Sequence, residues 1–334
     1  MNAPLLDVRP LLDVPPVLDV PPLLDVQGLT LCRGDKRILD GVSMTLGRGE
    51  TLALVGESGA GKSTIAFALM GLIGAKEATI EGRARFDDVA DLVALDEKGW
   101  AALRGQRLAM VFQDAGSALN PSYTVGAQLI SVLRRKLGLG RNEARTRAVT
   151  LLESVGINDA AVRLSAYPHE LSGGMQQRVM VAIALACDPD LLFADEPTSA
   201  LDVTIQAQIV SLILEQTRAR GASCIFVLHD LALASQCCDR IMVLYAGQVM
   251  EAGDCRTVLD DPRHPYTRLL KSCVLEIGAE ILDDPPEGGV PSYDAMPAGC
   301  RFATRCPRAL PRCAAERPPL AEFDGRALAC WNPT

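Results

Sequence analysis

The chain has 334 residues, 49% hydrophobic and 22% charged, which is enough for one large domain and a smaller one around a substantial core. Its formal charge of −8 argues against nucleic acid as the main partner. No basic segment followed by an apolar stretch opens it, and no apolar run approaches the roughly 18 residues of a membrane span, so a cytosolic protein is expected, where stable disulfides are rare.

The chain begins with a six-residue repeat: LLDVRP, LLDVPP, VLDVPP, then LLDV. Paired prolines remove backbone donors and favour extended geometry, so residues 1–22 are expected to form a disordered tail, with only Leu23 to Val26 joining the fold. From Leu23 the pattern alternates. "LLDVQGLTL" and "LDGVSMTL" read as two strands around the turn-like cluster "CRGDKR".

"TLALVGESGAGKSTIAFALMGLI" follows. An apolar strand, Leu52 to Val55, runs into a glycine-rich loop that fits G-x-x-x-x-G-K-[ST], with Gly56, Gly59, Gly61, Lys62 and Ser63. Such a loop lets backbone N–H groups close around phosphate oxygens without a Cβ in the way. The helix opening near Lys62 adds its positive dipole end, Lys62 a mobile charge, and Ser63 a hydroxyl for Mg²⁺. This is a nucleotide site.

Further along, "VGAQLISVLRRKLGLGRNEARTRAVTLLESVGI" has helical periodicity with arginine-rich faces. "LSGGMQQR", Leu171 to Arg178, places a serine and two glycines at a helix start, a second anion site where one should suffice. Val179 to Cys187 reads as a buried helical face. In "DLLFADEPTSALD" an apolar strand, Leu191 to Ala194, ends in Asp195 and Glu196. Adjacent carboxylates at a strand end suit one metal-holding and one water-activating role.

The P-loop, LSGG, "ADEP", "SALD" and a later "HD" stand in the order found in ATP-binding subunits of ABC transporters, and Leu23 to Val258 resembles that family. The resemblance implies an α/β P-loop ABC ATPase: a RecA-like core, an antiparallel β subdomain and a helical subdomain over about 114–187, together spanning 23–258. In that family two subunits sandwich two ATPs, each pairing its P-loop with the other's LSGG, which explains the second anion site. Carried over, Gly56, Glu57, Ser58, Gly59, Ala60, Gly61, Lys62, Ser63 and Thr64 hold the phosphates. Ser172, Gly173, Gly174 and Gln176 face the partner's nucleotide. Asp195 orders Mg²⁺ with Ser63 and Gln113, Glu196 is the general base, and Gln113 and His229 sense the γ-phosphate. Ser199 to Asp202 match the D-loop, so Asp202 joins the site. One position departs from the family: Arg33 stands where an aromatic ring usually stacks on adenine, and its guanidinium plane can stack there or point to solvent.

"QDAGSALNP", "YPHELSGGMQQRVM", "DEPTSALDVTIQAQIV" and "DPRHPYTRLL" resemble dipeptide and oligopeptide importers most closely. The alternatives are an importer ATPase for nickel, glutathione or another small solute, or a soluble ABC ATPase without a transport role. The resemblance implies a second ATPase subunit, a paralogue or a second copy, two transmembrane permease subunits, an extracytoplasmic binding protein acting indirectly, and a place on the cytoplasmic face of the inner membrane. His264, in the HPYT stretch, reads as a loop histidine marking a helix start.

Residues 259–334 form the expected Cys-rich C-terminal extension. Four of the 11 cysteines, Cys300, Cys306, Cys313 and Cys330, are spaced C-x₅-C-x₆-C-x₁₆-C, without the C-x₂-C knuckles of most structural zinc sites. Thiolates alone suit Cys₄ zinc or a cubane iron–sulfur cluster. The family resemblance, whose members often end in "GCxFxxRCP…C…C", implies [4Fe–4S], with Zn²⁺ the alternative. The expected role is to staple an extension with little core, as a module separable from ATP binding. The other seven cysteines, Cys187 and Cys224 among them, are expected to be small core residues.

Overall fold

A computed structural model describes residues 21–197, 203–273 and 289–334. The repeat tail before Pro21 and the D-loop residues 199–202, including Asp202, lie outside the described residues.

In chain order the elements are β1 (Leu24–Arg33), β2 (Lys36–Leu46), β3 (Thr51–Val55), α1 (Lys62–Leu69) and β4 (Thr79–Phe86). Next come α2 (Glu97–Leu103), β5 (Leu108–Val111), α3 (Ala115–Ala118), α4 (Val125–Leu137), α5 (Arg141–Ser154), α6 (Ala160–Arg163) and α7 (Gly173–Ala184). Then follow β6 (Leu191–Asp195), α8 (Val203–Ala219), β7 (Ser223–Leu228), α9 (Leu231–Cys237), β8 (Arg240–Tyr245) and β9 (Gln248–Asp254). The chain closes with α10 (Cys255–Asp260), α11 (Pro265–Ser272), α12 (Pro311–Ala315), β10 (Ala321–Phe323) and β11 (Arg326–Leu328).

The chain divides into two compact units. The first holds Met1–Leu46, Leu52–Val93 and Leu228–Thr334. In it β2, β1 and β4 form an antiparallel sheet, with Arg33 opposite Lys36 across a two-residue turn at Gly34 and Asp35. The turn is tighter than the cluster "CRGDKR" suggests, because Cys32 and Arg37 pair within the ladder. Apolar residues alternate inward: Leu24, Val26, Leu29 and Leu31 on β1, and Val42, Met44 and Leu46 on β2, are all buried. A second set of strands runs β10-β11-β9-β8-β3. β3 and β8 are parallel and all five residues of β3 are buried, as a doubly covered strand requires. The extension therefore adds two strands at an edge, β11 pairing antiparallel with β9 through Ala327 and Leu328.

The second unit holds Gly47–Thr51 and Ala94–Val227, with β5, β6 and β7 in a parallel ladder. The long arginine-rich stretch forms two helices, α4 and α5. Thr124 caps α4 by accepting from the Ala127 N–H at 3.2 Å, and Gly138 ends it at φ 69. Arg134, Arg135 and Lys136 crowd its last turn, where the helix dipole favours cations.

Cys187, Cys224, Cys237, Cys238 and Cys255 are buried as expected. Cys32 and Cys273 correct that expectation. Cys32 is half-exposed next to the β1–β2 turn, and Cys273 is exposed where α11 ends.

Candidate functional site

The glycine-rich loop leaves β3 and closes on itself in the first unit. Gly56 adopts φ 148, and a Cβ there would overlap the Leu244 carbonyl oxygen. Gly61 caps α1 at φ 97, where a Cβ would lie 2.8 Å from Leu39. Both positions need glycine for their φ and for their close approach. The Lys62 side chain is buried, with Nζ donating to the carbonyl oxygens of Gly56 at 2.8 Å and Glu57 at 3.1 Å. An ammonium held over the loop and the open end of α1 together make an anion-binding nest. Ser63 and Thr64 are half-buried in the first turn of α1, and Ser58 and Gly59 are exposed at the loop's tip.

Arg33 is exposed at the β1–β2 turn. His229 is exposed just after β7, and the next residue, Asp230, caps α9 by accepting from the N–H groups of Ala232 and Leu233.

The carboxylates lie in the second unit. Asp195 ends β6 and is 4% exposed. Glu196 follows at φ 43, a left-handed conformation that costs a non-glycine residue about 1 kcal/mol. Its N–H donates to the Val227 carbonyl at 3.1 Å, and its Oε2 accepts from Gln113 Nε2 at 2.9 Å. Gln113 leaves β5, so neighbouring strands bring these two residues together across 83 positions of sequence. A held carboxylate beside an amide suits proton abstraction from water.

Ser172 caps α7, Oγ accepting from the Met175 N–H at 3.4 Å, which leaves Gly173 exposed at the helix start. Gln176 points back along the chain, its amide donating to the carbonyls of Pro168 at 2.8 Å and Leu171 at 3.2 Å.

The four tail cysteines converge. Cys300, Cys306, Cys313 and Cys330 line one small cavity, together with His264 and Phe302. Turns fold the segment: the Cys300 N–H donates to the Cys313 carbonyl at 2.8 Å, and Gly299 packs so tightly that a Cβ would overlap the same carbonyl. Two backbone donors already face sulfur, Leu310 N–H to Cys313 Sγ and Asn332 N–H to Cys330 Sγ, both at 3.4 Å. Burial, and then the neighbouring thiols, push the Cys300 thiol up to about 11 and Cys330 up to about 12. All four are free thiols, and among the described residues no group of three or more His, Cys, Asp or Glu is arranged to hold a metal ion.

His264 is more than a loop marker. It is 1% exposed, and its Nδ1 accepts from the Tyr266 N–H at 3.0 Å, which leaves its proton on Nε2. Nε2 is buried, with the Ala329 backbone as its nearest acceptor and no hydrogen bond of good geometry. Burial pushes the imidazole pKa down to about 3, the backbone at Ala329 opposing only in part, so the ring is neutral.

Sequence reasoning missed the residues that hold the phosphate loop from the far end of the chain. Tyr266 Oη accepts from the Glu57 N–H at 2.8 Å, Arg305 pairs with the Glu57 carboxylate at 2.9 Å, and Tyr293 Oη donates to the Gly59 carbonyl at 2.8 Å. The HPYT stretch and "FATRCP" contain two of the three, but nothing in their spacing points to a loop more than 200 residues away.

A P-loop after a buried parallel strand, an LSGG helix start and a strand ending in adjacent carboxylates define a P-loop ATPase of the ABC type. The ABC transporter family matches residues 39–199, and the oligopeptide/dipeptide transporter C-terminal region matches 250–313. The dipeptide transport ATP-binding protein DppD of Escherichia coli is 47% identical over 73% of this chain and 75% of its own length. The oligopeptide transport ATP-binding protein AppD of Bacillus subtilis is 43% identical over 75% of this chain and 77% of its own. Among solved structures, the ATP-binding cassette MJ0796 bound to ADP and Pi matches with a TM-score of 0.62 and 28% identity, covering 70% of this chain and 99% of that one. The structure of cbiO1 from Clostridium perfringens matches at 0.61 and 28%, covering 72% and 91%. The chain belongs to the ABC transporter ATP-binding family, in the branch with the dipeptide and oligopeptide transport proteins. It is an ATPase that works with ATP and Mg²⁺. No described helix is long and apolar enough to cross a membrane.

Proposed function

We propose that this chain hydrolyses ATP to drive import of di- and oligopeptides, seated on the cytoplasmic face of two permease subunits and paired head-to-tail with a second ATPase subunit. The observation that carries the peptide reading is its 43–47% identity to peptide-transport ATPases, joined to the match of their C-terminal region. Residues 56–64 hold the phosphates, with Lys62 as the mobile cation and Arg33 beside the base. Ser63, Gln113 and Asp195 would hold Mg²⁺, which would supply positive charge against the phosphates. Glu196 orients the attacking water and takes its proton, and His229 reports on the γ-phosphate. Ser172, Gly173, Gly174 and Gln176, with Asp202, meet the nucleotide bound by the partner.

The test of cargo is uptake of a radiolabelled dipeptide by cells that lack their own peptide importer and express this chain with its permease, partner ATPase and binding protein. Uptake that is lost on Lys62→Ala supports the reading; uptake of nickel or another solute alone refutes it.

The four cysteines suit a [4Fe–4S] cluster. Their donor set is all sulfur and they share one cavity, although among the described residues no group of three or more is arranged as metal ligands. Cys300, Cys306, Cys313 and Cys330 would hold the cluster, whose part is to staple the extension by replacing neutral thiols with bound thiolates. Protein purified without oxygen is expected to carry about four irons and four sulfides per chain, and Cys306→Ser to lose them. One zinc per chain instead of iron would overturn the assignment.

A further inference from the structure

The extension does not stop at the cysteine cavity. Between Cys300 and Cys306, two arginines reach into the nucleotide-binding side of the same unit. Arg301 donates to the Ala246 carbonyl in the β8–β9 turn and to Asp40 Oδ2 at 3.1 Å. That turn in turn supports the phosphate loop, the Gly247 N–H donating to the Ala60 carbonyl at 2.8 Å. Arg305 goes further and meets the loop directly. Its guanidinium pairs with the Glu57 carboxylate at 2.9 Å and donates to Tyr245 Oη at 3.3 Å, while lying over the rings of Tyr245 and Phe302 at 5.7 Å. The pair is enclosed, with 10% and 27% of the two side chains exposed. Burial opposes the charge of Arg305, yet the bonds from Glu57 and Tyr245 hold its pKa above the ordinary arginine value.

Two tyrosines complete the contact. Tyr266, fully buried and packed edge-on against Tyr245, takes the Glu57 N–H, so that one amide of the loop is directed at the tyrosine rather than at an anion. Tyr293 donates to the Gly59 carbonyl at the loop's exposed tip, and its neighbour Asp294 pairs with Lys36 at 3.0 Å beside the β1–β2 turn. The loop binds phosphate through backbone N–H groups whose directions are fixed by these neighbours. A change in the cysteine segment therefore reaches the loop through the Arg305–Glu57 ion pair and the turn that Arg301 supports, while the two tyrosine hydroxyls hold the loop independently.

We propose that the four-cysteine segment positions the phosphate-binding loop, with Arg305, Tyr266 and Tyr293 as positioning residues for ATP. Nucleotide affinity then follows the state of that segment, against the expectation of a module separable from ATP binding. The inference rests on the reading of the loop as the ATP site.

The experiment measures ATP affinity with a fluorescent ATP analogue, and KM and kcat for ATP, on the full chain purified without oxygen. Failure of the wild type to bind the analogue would refute the ATP-site reading itself. With binding established, Arg305→Met is expected to weaken affinity about tenfold with kcat at saturating ATP nearly unchanged, and Arg305→Lys to recover part of the loss. Because the partners act as one unit, the double variant Arg305→Met with Glu57→Gln should bind no more weakly than the worse single variant. Tyr293→Phe removes one oxygen, lies away from the cysteines, and is expected to weaken affinity about threefold. Wild-type affinity in Arg305→Met, additive losses in the double variant, or a loss confined to kcat overturns the inference. Should Arg305→Met not fold, Arg305→Lys decides alone: weakened binding with kcat kept supports the inference and wild-type binding overturns it.

Discussion

Glu196 sits in a conformation that glycine would adopt more cheaply, and it keeps that conformation because its N–H is tied to Val227 and its carboxylate to Gln113. Held strain of this kind collects where a side chain must be aimed. Asp40 shows the same economy in a different task. Its carboxylate meets Arg301 and Arg317 of the extension, each at 3.1 Å, and Gln248 at 2.8 Å. Burial works to raise its pKa, but the Gln248 hydrogen bond and the charges of Arg317, Arg301 and Arg37 outweigh it and hold the group below its ordinary value. Asp40→Asn is expected to cost about 2 kcal/mol of stability, less than the roughly 3–5 kcal/mol of a fully enclosed pair because Arg317 reaches solvent. The pH dependence follows in sign. In the unfolded chain the group takes up its proton near 3.8, and in the folded chain only at lower pH. The contribution is therefore complete above that value and fades as pH falls through the folded pKa. Urea midpoints of wild type and Asp40→Asn should differ near neutral pH and draw together as the pH falls from 3.8 through the folded pKa; a gap that stays constant or widens over that fall would sink the assignment.

At the scale of elements, legibility tracked distance along the chain. The P-loop, its strand and its helix were readable because their residues are neighbours and the phosphate chemistry dictates each one. β1 and β2 were readable from alternation, although the turn between them is shorter than its polar cluster implied. The arginine-rich stretch has the helical periodicity expected of it, and Gly138 divides it into two helices. The four cysteines could be counted but not joined, since only the fold brings Cys330 to Cys300. The contacts from Tyr266 and Arg305 to Glu57 bridge 209 and 248 positions, and no local pattern encodes such a pairing. His264 was taken for a helix marker, which it is through Nδ1, but its buried Nε2 faces a requirement visible only in three dimensions.

For the whole molecule, the residues proposed to act on ATP are found in both compact units. One holds the phosphate loop, His229 and the extension that braces the loop; the other holds Gln113, Asp195, Glu196 and the LSGG helix start. The central claim is that Glu196 performs ATP hydrolysis, and the most direct measurement is the nucleotide recovered from purified Glu196→Gln after incubation with Mg²⁺ and γ-labelled ATP, with the molecular mass taken alongside. The account predicts uncleaved ATP, a turnover reduced by about 10²–10⁴-fold and an ATP-dependent dimer. ADP formed at the wild-type rate would contradict it.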